Sequence, residues 1–100
     1  MYRIYCGRNI GSRLGVTESQ FETWLSQSVT PVFPGFSIQE IVGYWNGQRE
    51  KSYVLEISTD NRAGVDEVAN SYLETFSQDS VMVADVTEKT EFLVREQVFS

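Results

Sequence analysis

Histidine is missing altogether from this chain of 100 residues. That removes the commonest general base near neutral pH and the commonest ligand for transition metals, so no metal or cofactor is expected. Cysteine is almost as scarce. Cys6 stands alone, no disulfide can form within the chain, and a reducing, cytoplasmic setting is the expectation. Basic charge is thin as well: 8 Lys and Arg oppose 14 Asp and Glu, for a net charge of -6. A duplex-binding domain needs a cationic face to displace phosphate counterions, and anionic membranes need the same, so neither nucleic acid nor membrane is expected as a partner. Long apolar runs and a basic-then-apolar leader are absent too. What remains is ordinary globular material, with 41% hydrophobic, 13% aromatic and 22% charged residues. One domain over residues 1–100 follows from the length, with a core unit at 2–86 and a tail at 87–100.

Tyr2 to Arg8 is rich in β-favouring residues and reads as a first strand, followed by a Gly- and Ser-bearing loop from Asn9 to Gly15. Thr17 and Gln20 have capping-box spacing, and Phe21, Trp24, Leu25 and Val29 recur at helical spacing until Pro31 stops the helix. Pro31 to Gly35 is a stiff turn. Asn46-Gly47 is a strong hairpin signal, which pairs Trp45 with Gln48. Propagated outward, that register sets Ile38 opposite Leu55 and Phe36 opposite Ile57 on one face. Ile41 opposite Ser52 and Gln39 opposite Val54 fall on the other. Val65, Val68, Ala69, Tyr72, Leu73 and Phe76 make a second helical stripe, capped by Asp60 or Asn61 and weakened in its first turn by Gly64. Val81 to Val86 is a short fourth strand, and the tail from Thr87 reads as a weak strand or short helix.

Strand, helix, strand, strand, helix, strand is the split βαβ order of an α+β, ferredoxin-like domain, with two helices on one face of a four-stranded antiparallel sheet. The predicted core is Ile4, Cys6, Phe21, Trp24, Leu25, Phe36, Ile38, Leu55, Ile57, Val68, Tyr72, Phe76, Val81 and Val83.

Several of these segments resemble an uncharacterised family of small bacterial proteins. The likeness rests on Thr30-Pro31-Val32-Phe33-Pro34-Gly35, on Gly43-x-Trp45, and on Arg49-Glu50-x-Ser52-x-Val54-Leu55. Gln78-Asp79-Ser80-Val81 and Tyr5-Cys6-Gly7 are similar to its stretches at the last and first strands. Val32 stands where that family usually has Arg, Tyr44 where it has Gln, and the Asn46-Gly47 hairpin is shorter. The resemblance supports the fold and transfers no catalytic residue.

The helix-free face of the sheet is the informative surface. Under the hairpin register Tyr5, Ile41, Trp45, Val54, Met82, Ala84 and Val86 project there, an apolar set that needs a cover. A second copy stacked face to face would supply it, and so would the tail folding back. The first reading is therefore a non-catalytic association domain, a homodimer or the docking module of a protein partner. The alternative is a small-molecule binder or histidine-free enzyme of the dimeric α+β barrel kind. Trp45, Tyr5, Arg49 and Glu50 would line its pocket, with Glu50 as a base and Arg49 as an anion clamp or a cation–π partner of Tyr44. The simpler reading of Arg49 and Glu50 is as hairpin residues that keep an edge soluble. Base stacking on Tyr5 and Trp45 ranks third, because the net charge opposes it. The Gly7 to Gly15 loop, with Arg8 and Arg13 before a helix start, has the ingredients of an anion site, though flexible connection is the simpler reading. Cys6 lacks any base to ionise it and is expected in the core.

Overall fold

The computed structural model describes residues 1–10, 13–45 and 47–86, with the backbone alone for Ile10, Arg13, Leu14 and Trp45. Strand β1 (Tyr2–Gly7) is followed by two short strands, β2 (Asn9–Ile10) and β3 (Arg13–Leu14), which pair with each other. The expected loop thus contains a small hairpin. Its ends are drawn together because the Arg8 carbonyl accepts from the backbone N–H groups of both Gly15 and Val16 at 2.9 Å.

Helix α1 (Glu18–Trp24) starts at the predicted capping box. The Thr17 side chain accepts from the Gln20 N–H, and the Gln20 side chain accepts from the Thr17 N–H. The last helical turn widens into a π-helix over Leu25–Val29 instead of remaining α-helical up to Pro31. Hydroxyls satisfy carbonyls around that wide turn: Ser26 donates to Glu22 and Thr23, and Thr30 donates to Leu25.

Strands β4 (Ser37–Trp45) and β5 (Gln48–Ile57) form the predicted hairpin, with Trp45 paired to Gln48, Ile41 to Ser52, Gln39 to Val54 and Ile38 to Leu55. The ladder stops at Ser37 and Glu56, so the expected Phe36–Ile57 pair lies beyond it. Helix α2 (Arg62–Thr75) is capped by Asn61, and strand β6 (Met82–Asp85) pairs antiparallel with β1. The sheet order β4-β5-β1-β6 is that of the ferredoxin-like fold. The predicted tail lies outside the described residues.

The helices pack on the rows carrying Ile4, Cys6, Tyr53, Leu55 and Ile57. Between the layers Phe21 stacks on Tyr53 with ring centroids 4.2 Å apart, and Trp24 meets Tyr72 edge-on at 4.9 Å. The Trp24 indole N–H donates to Ser71 at 3.1 Å, which ties one helical segment to the other. Burial pushes the Cys6 thiol and the Tyr72 phenol well above their ordinary ionisation ranges.

Several expected core positions are corrected. Ile38 faces the helix side, as its pairing with buried Leu55 requires, yet it is 41% exposed because β4 is an outer strand that the helices do not reach. Leu25, Phe36, Val81 and Val83 pack at the core's margin. Val16, Val29, Phe33, Tyr53, Val54, Val65 and Ala69 are buried beyond the expected set. Gly64 is a packing requirement rather than a simple weakness. A Cβ there would lie 2.5 Å from the Asn61 amide nitrogen and 2.9 Å from the Phe33 ring.

Candidate functional site

Cross-strand register defines what the helix-free face presents. One row runs Ser37, Glu56, Arg3, Ala84, and the next runs Gln39, Val54, Tyr5, Met82. A third row contains Ile41, Ser52 and Gly7, and a fourth contains only Gly43 and Glu50, because β1 has already ended. Tyr5, Ile41, Val54, Met82 and Ala84 are therefore on the expected face. Val54 is only 4% exposed yet belongs outside the helix-side cluster, as its place in the register demands. The face is mixed rather than uniformly apolar. Arg3 donates to Glu56 at 3.2 Å across it, and Gln39, Ser52 and Glu50 share it. The apolar expectation counted the greasy positions and passed over these polar neighbours.

Unequal strand lengths create a cleft at one corner of this face. β5 continues past the end of β1 at Gly7, β6 begins only at Met82, and the connection from α2 to β6 crosses alongside. The resulting concavity is about 510 Å3, lined by Tyr5, Gly7, Asn9, Glu50, Ser52, Met82 and the segment Ser77-Gln78-Asp79-Ser80.

Gly7 is the floor of this corner. A Cβ on it would meet a Glu50 carboxylate oxygen at 2.6 Å, so the absent side chain is what lets that carboxylate close over the strand, while the Gln78 amide oxygen faces the same point at an ordinary contact distance of 3.6 Å. The backbone at this point is fixed from the core side, where the Tyr72 hydroxyl donates to the Gly7 carbonyl. Gln78 is fixed too: its amide donates to the Asn9 carbonyl at 3.1 Å, leaving its oxygen turned toward Gly7. Ser77 brings Gln78 into place by adopting a left-handed conformation (φ 52°) at the end of α2, where the Gln78 N–H closes on the Leu73 carbonyl at 2.9 Å.

The predicted site residues divide accordingly. Tyr5, Glu50 and Met82 come together in the cleft, whereas Ile41 and Val54 lie on the same face outside its lining. Arg49 is separated from Glu50 because alternation along β5 sends it to the helix side, opposite Tyr44, which is 72% exposed. The side chain of Trp45 lies outside the described residues. The expected Arg49–Tyr44 cation–π contact is not among those of the described residues, which are Arg8 over Tyr53 at 5.0 Å and Arg62 over Tyr2 at 5.3 Å. Gly7, Asn9, Ser52, Ser77, Gln78, Asp79 and Ser80 were missed as site residues, although all but Asn9 and Ser77 fall in the motifs quoted above.

The anion-site expectation for the loop after β1 loses its main charge. Arg8 is 8% exposed, its guanidinium sits over Tyr53, and its Nε donates to the Val16 carbonyl at 3.2 Å. It braces the loop against the core, and among the described residues no Lys or Arg lines the cleft. A second, shallower groove of about 400 Å3 lies between the helices, floored by Trp24 and Phe76 and rimmed by Ser, Thr and Gln side chains without a charge. Among the described residues no three His, Cys, Asp or Glu side chains gather as a metal site, and no helix is long and apolar enough to cross a membrane.

A ferredoxin-like α+β domain with a polar cleft at an open sheet corner is the class these features define. Within it, the chain belongs to the family described as "Protein of unknown function (DUF3574)", which it matches over residues 1–92. No curated protein gives a match. Among solved structures it is similar to a phage SAM lyase in its apo state, at 23% identity and a TM-score of 0.64, over 82% of this chain and 74% of that one. At that identity the likeness is one of fold.

Proposed function

We propose that this protein binds a small molecule in the cleft over Gly7, with Glu50 as its charged anchor. The observation that carries the reading is the convergence of the Glu50 carboxylate and the Gln78 amide oxygen over a residue without a side chain. Tyr5, Ser52 and Met82 supply an aromatic, a hydroxyl and a thioether around that point, the mixture of apolar walls and a few placed polar groups that ligand sites use. The phage lyase shows that such a fold can carry an enzyme acting on SAM. In a catalytic version of this reading Glu50 is the group to move a proton, since histidine is absent and the Glu50 carboxylate lies in the cleft lining. A cytoplasmic setting fits the single buried, free cysteine.

A thermal-shift screen of soluble metabolites, SAM included, tests the reading. At least one compound should raise the Tm of the parent and fail to raise that of Glu50→Gln. A screen in which every stabilising compound acts equally on both proteins contradicts it.

Self-association is a second reading, favoured by one observation. Ile38, Val42 and Tyr44 are 41%, 44% and 72% exposed along one side of the outer strand β4, with exposed Glu40 between the first two. A homodimer would bury that stripe. Sedimentation at micromolar concentration should then show a dimer that Val42→Lys dissociates, and a monomeric parent contradicts it.

A further inference from the structure

The small-molecule reading leaves the chemistry of the ligand open, and the charged groups around the cleft narrow it. Glu50 and Asp79 are the ionisable acids of its lining, and among the described residues no Lys or Arg belongs to that lining. The neighbouring arginines are held away by geometry. Arg3 pairs with Glu56 two rows along the sheet, Arg8 is packed over Tyr53 on the helix side, and Arg49 lies on the opposite face of β5 from Glu50. The described lining is thus acidic, which favours a ligand of opposite sign.

Two further features favour an organic cation over a bare metal ion. The fixed acceptor of Gln78 stands beside Glu50 at Gly7 and matches a donor or a polarised C–H group next to a positive centre. Tyr5 and Met82 are direct cross-strand neighbours in the row behind them, so an aromatic face and a polarisable sulfur border the same space. Aromatic rings attract onium groups through their quadrupole, and a thioether accommodates apolar substituents without competing for hydrogen bonds. The net charge of -6 adds a long-range bias in the same direction.

We infer that the cleft over Gly7 selects an organic cation, a quaternary ammonium or sulfonium-type centre seated between Tyr5 and the Glu50 carboxylate. This rests on the small-molecule reading above, and the test separates the two. Tetramethylammonium, tert-butyl alcohol and acetate are titrated into nitrogen-15-labelled protein at matched ionic strength, and amide shifts are followed. The first two probes are close in size and differ in charge. Tetramethylammonium should move the amides of Tyr5, Gly7, Glu50 and Gln78 with an apparent affinity about fivefold above that of tert-butyl alcohol, the ratio that roughly 1 kcal/mol of cation–π and charge attraction provides. Acetate should leave them unmoved. In Glu50→Gln, with its remaining spectrum intact, the preference for the cation should shrink toward unity. Equal response to the neutral probe, or a response to acetate, overturns the cation inference while leaving the cleft a binding site. Silence of these amides toward all three probes overturns both.

Discussion

The two halves of strand β5 obey the same alternation and meet different fates. From Ser52 to Glu56 the strand lies between β4 and β1, and Tyr53, Leu55 and the following Ile57 are buried under the helices. From Gln48 to Lys51 its ladder is with β4, joined only at the Lys51 carbonyl by the Arg8 N–H at 3.3 Å, and Arg49 and Lys51 are exposed on the side that farther along forms the core. Pleating fixes which way a side chain points, but the extent of the covering helices and the end of β1 decide whether anything meets it. The same step between the halves makes the cleft, because Glu50 extends past the strand that would otherwise have lain beside it.

The strongest way to break this comparison is to truncate across one row. Leu55→Ala should cost about 3 kcal/mol, as a fully buried leucine does, whereas Ile38→Ala, directly opposite it, should cost less than about 1 kcal/mol. Urea unfolding of both variants checks this, and similar losses would mean that the helix layer reaches the outer strand. Gly64→Ala comes next. Alanine is the better helix former, yet the contacts with Asn61 and Phe33 should turn that gain into a loss of about 1–2 kcal/mol, read as a lower Tm.

The core that covers the buried half also sets a pH limit. Cys6 and Tyr72 have ionisation raised above their ordinary values of 9.0 and 10.0 by burial, so the folded state holds protons that the unfolded chain releases. Stability from these groups is complete below about pH 9 and falls as pH rises beyond it, by up to about 1.4 kcal/mol per unit for each group. Urea midpoints at pH 8 and pH 10.5 should show the decline, and Cys6→Ala should lessen it. The smallest effect belongs at the cleft. Ser77→Gly should stabilise by about 0.5–1 kcal/mol, because glycine adopts the left-handed conformation without strain, and thermal melts would register the gain.

Local signals carried much of this architecture. Asn46-Gly47 was enough to place Trp45 against Gln48 and Ile38 against Leu55, and Thr17 with Gln20 marked the start of α1. Each depends on residues close in sequence. The exposure of Ile38 was illegible because it reflects where two distant helices stop. The role of Gly64 was hidden for a similar reason, since Phe33 approaches it from a turn far along the chain. At the candidate site, Tyr5, Glu50 and Met82 were legible as residues that alternation puts on one face. Their gathering with Asn9 and Gln78 required the registers of β1 with both β5 and β6, and a serine in a left-handed conformation that composition does not announce. Arg8 looked like a free positive charge and proved to be an internal brace.

The central claim is that the empty side-chain position at Gly7 lets Glu50 close beside Gln78 in a ligand-binding arrangement. Gly7→Ala tests it most directly, because its Cβ would displace the movable end of Glu50 while leaving the Tyr72 hydrogen bond to the backbone carbonyl in place. Calorimetric titration of parent and variant with a compound that stabilises the parent should show affinity weakened by about tenfold or more, with the folded spectrum retained, which corresponds to about 1.4 kcal/mol. Equal affinity in the two folded proteins would contradict the claim.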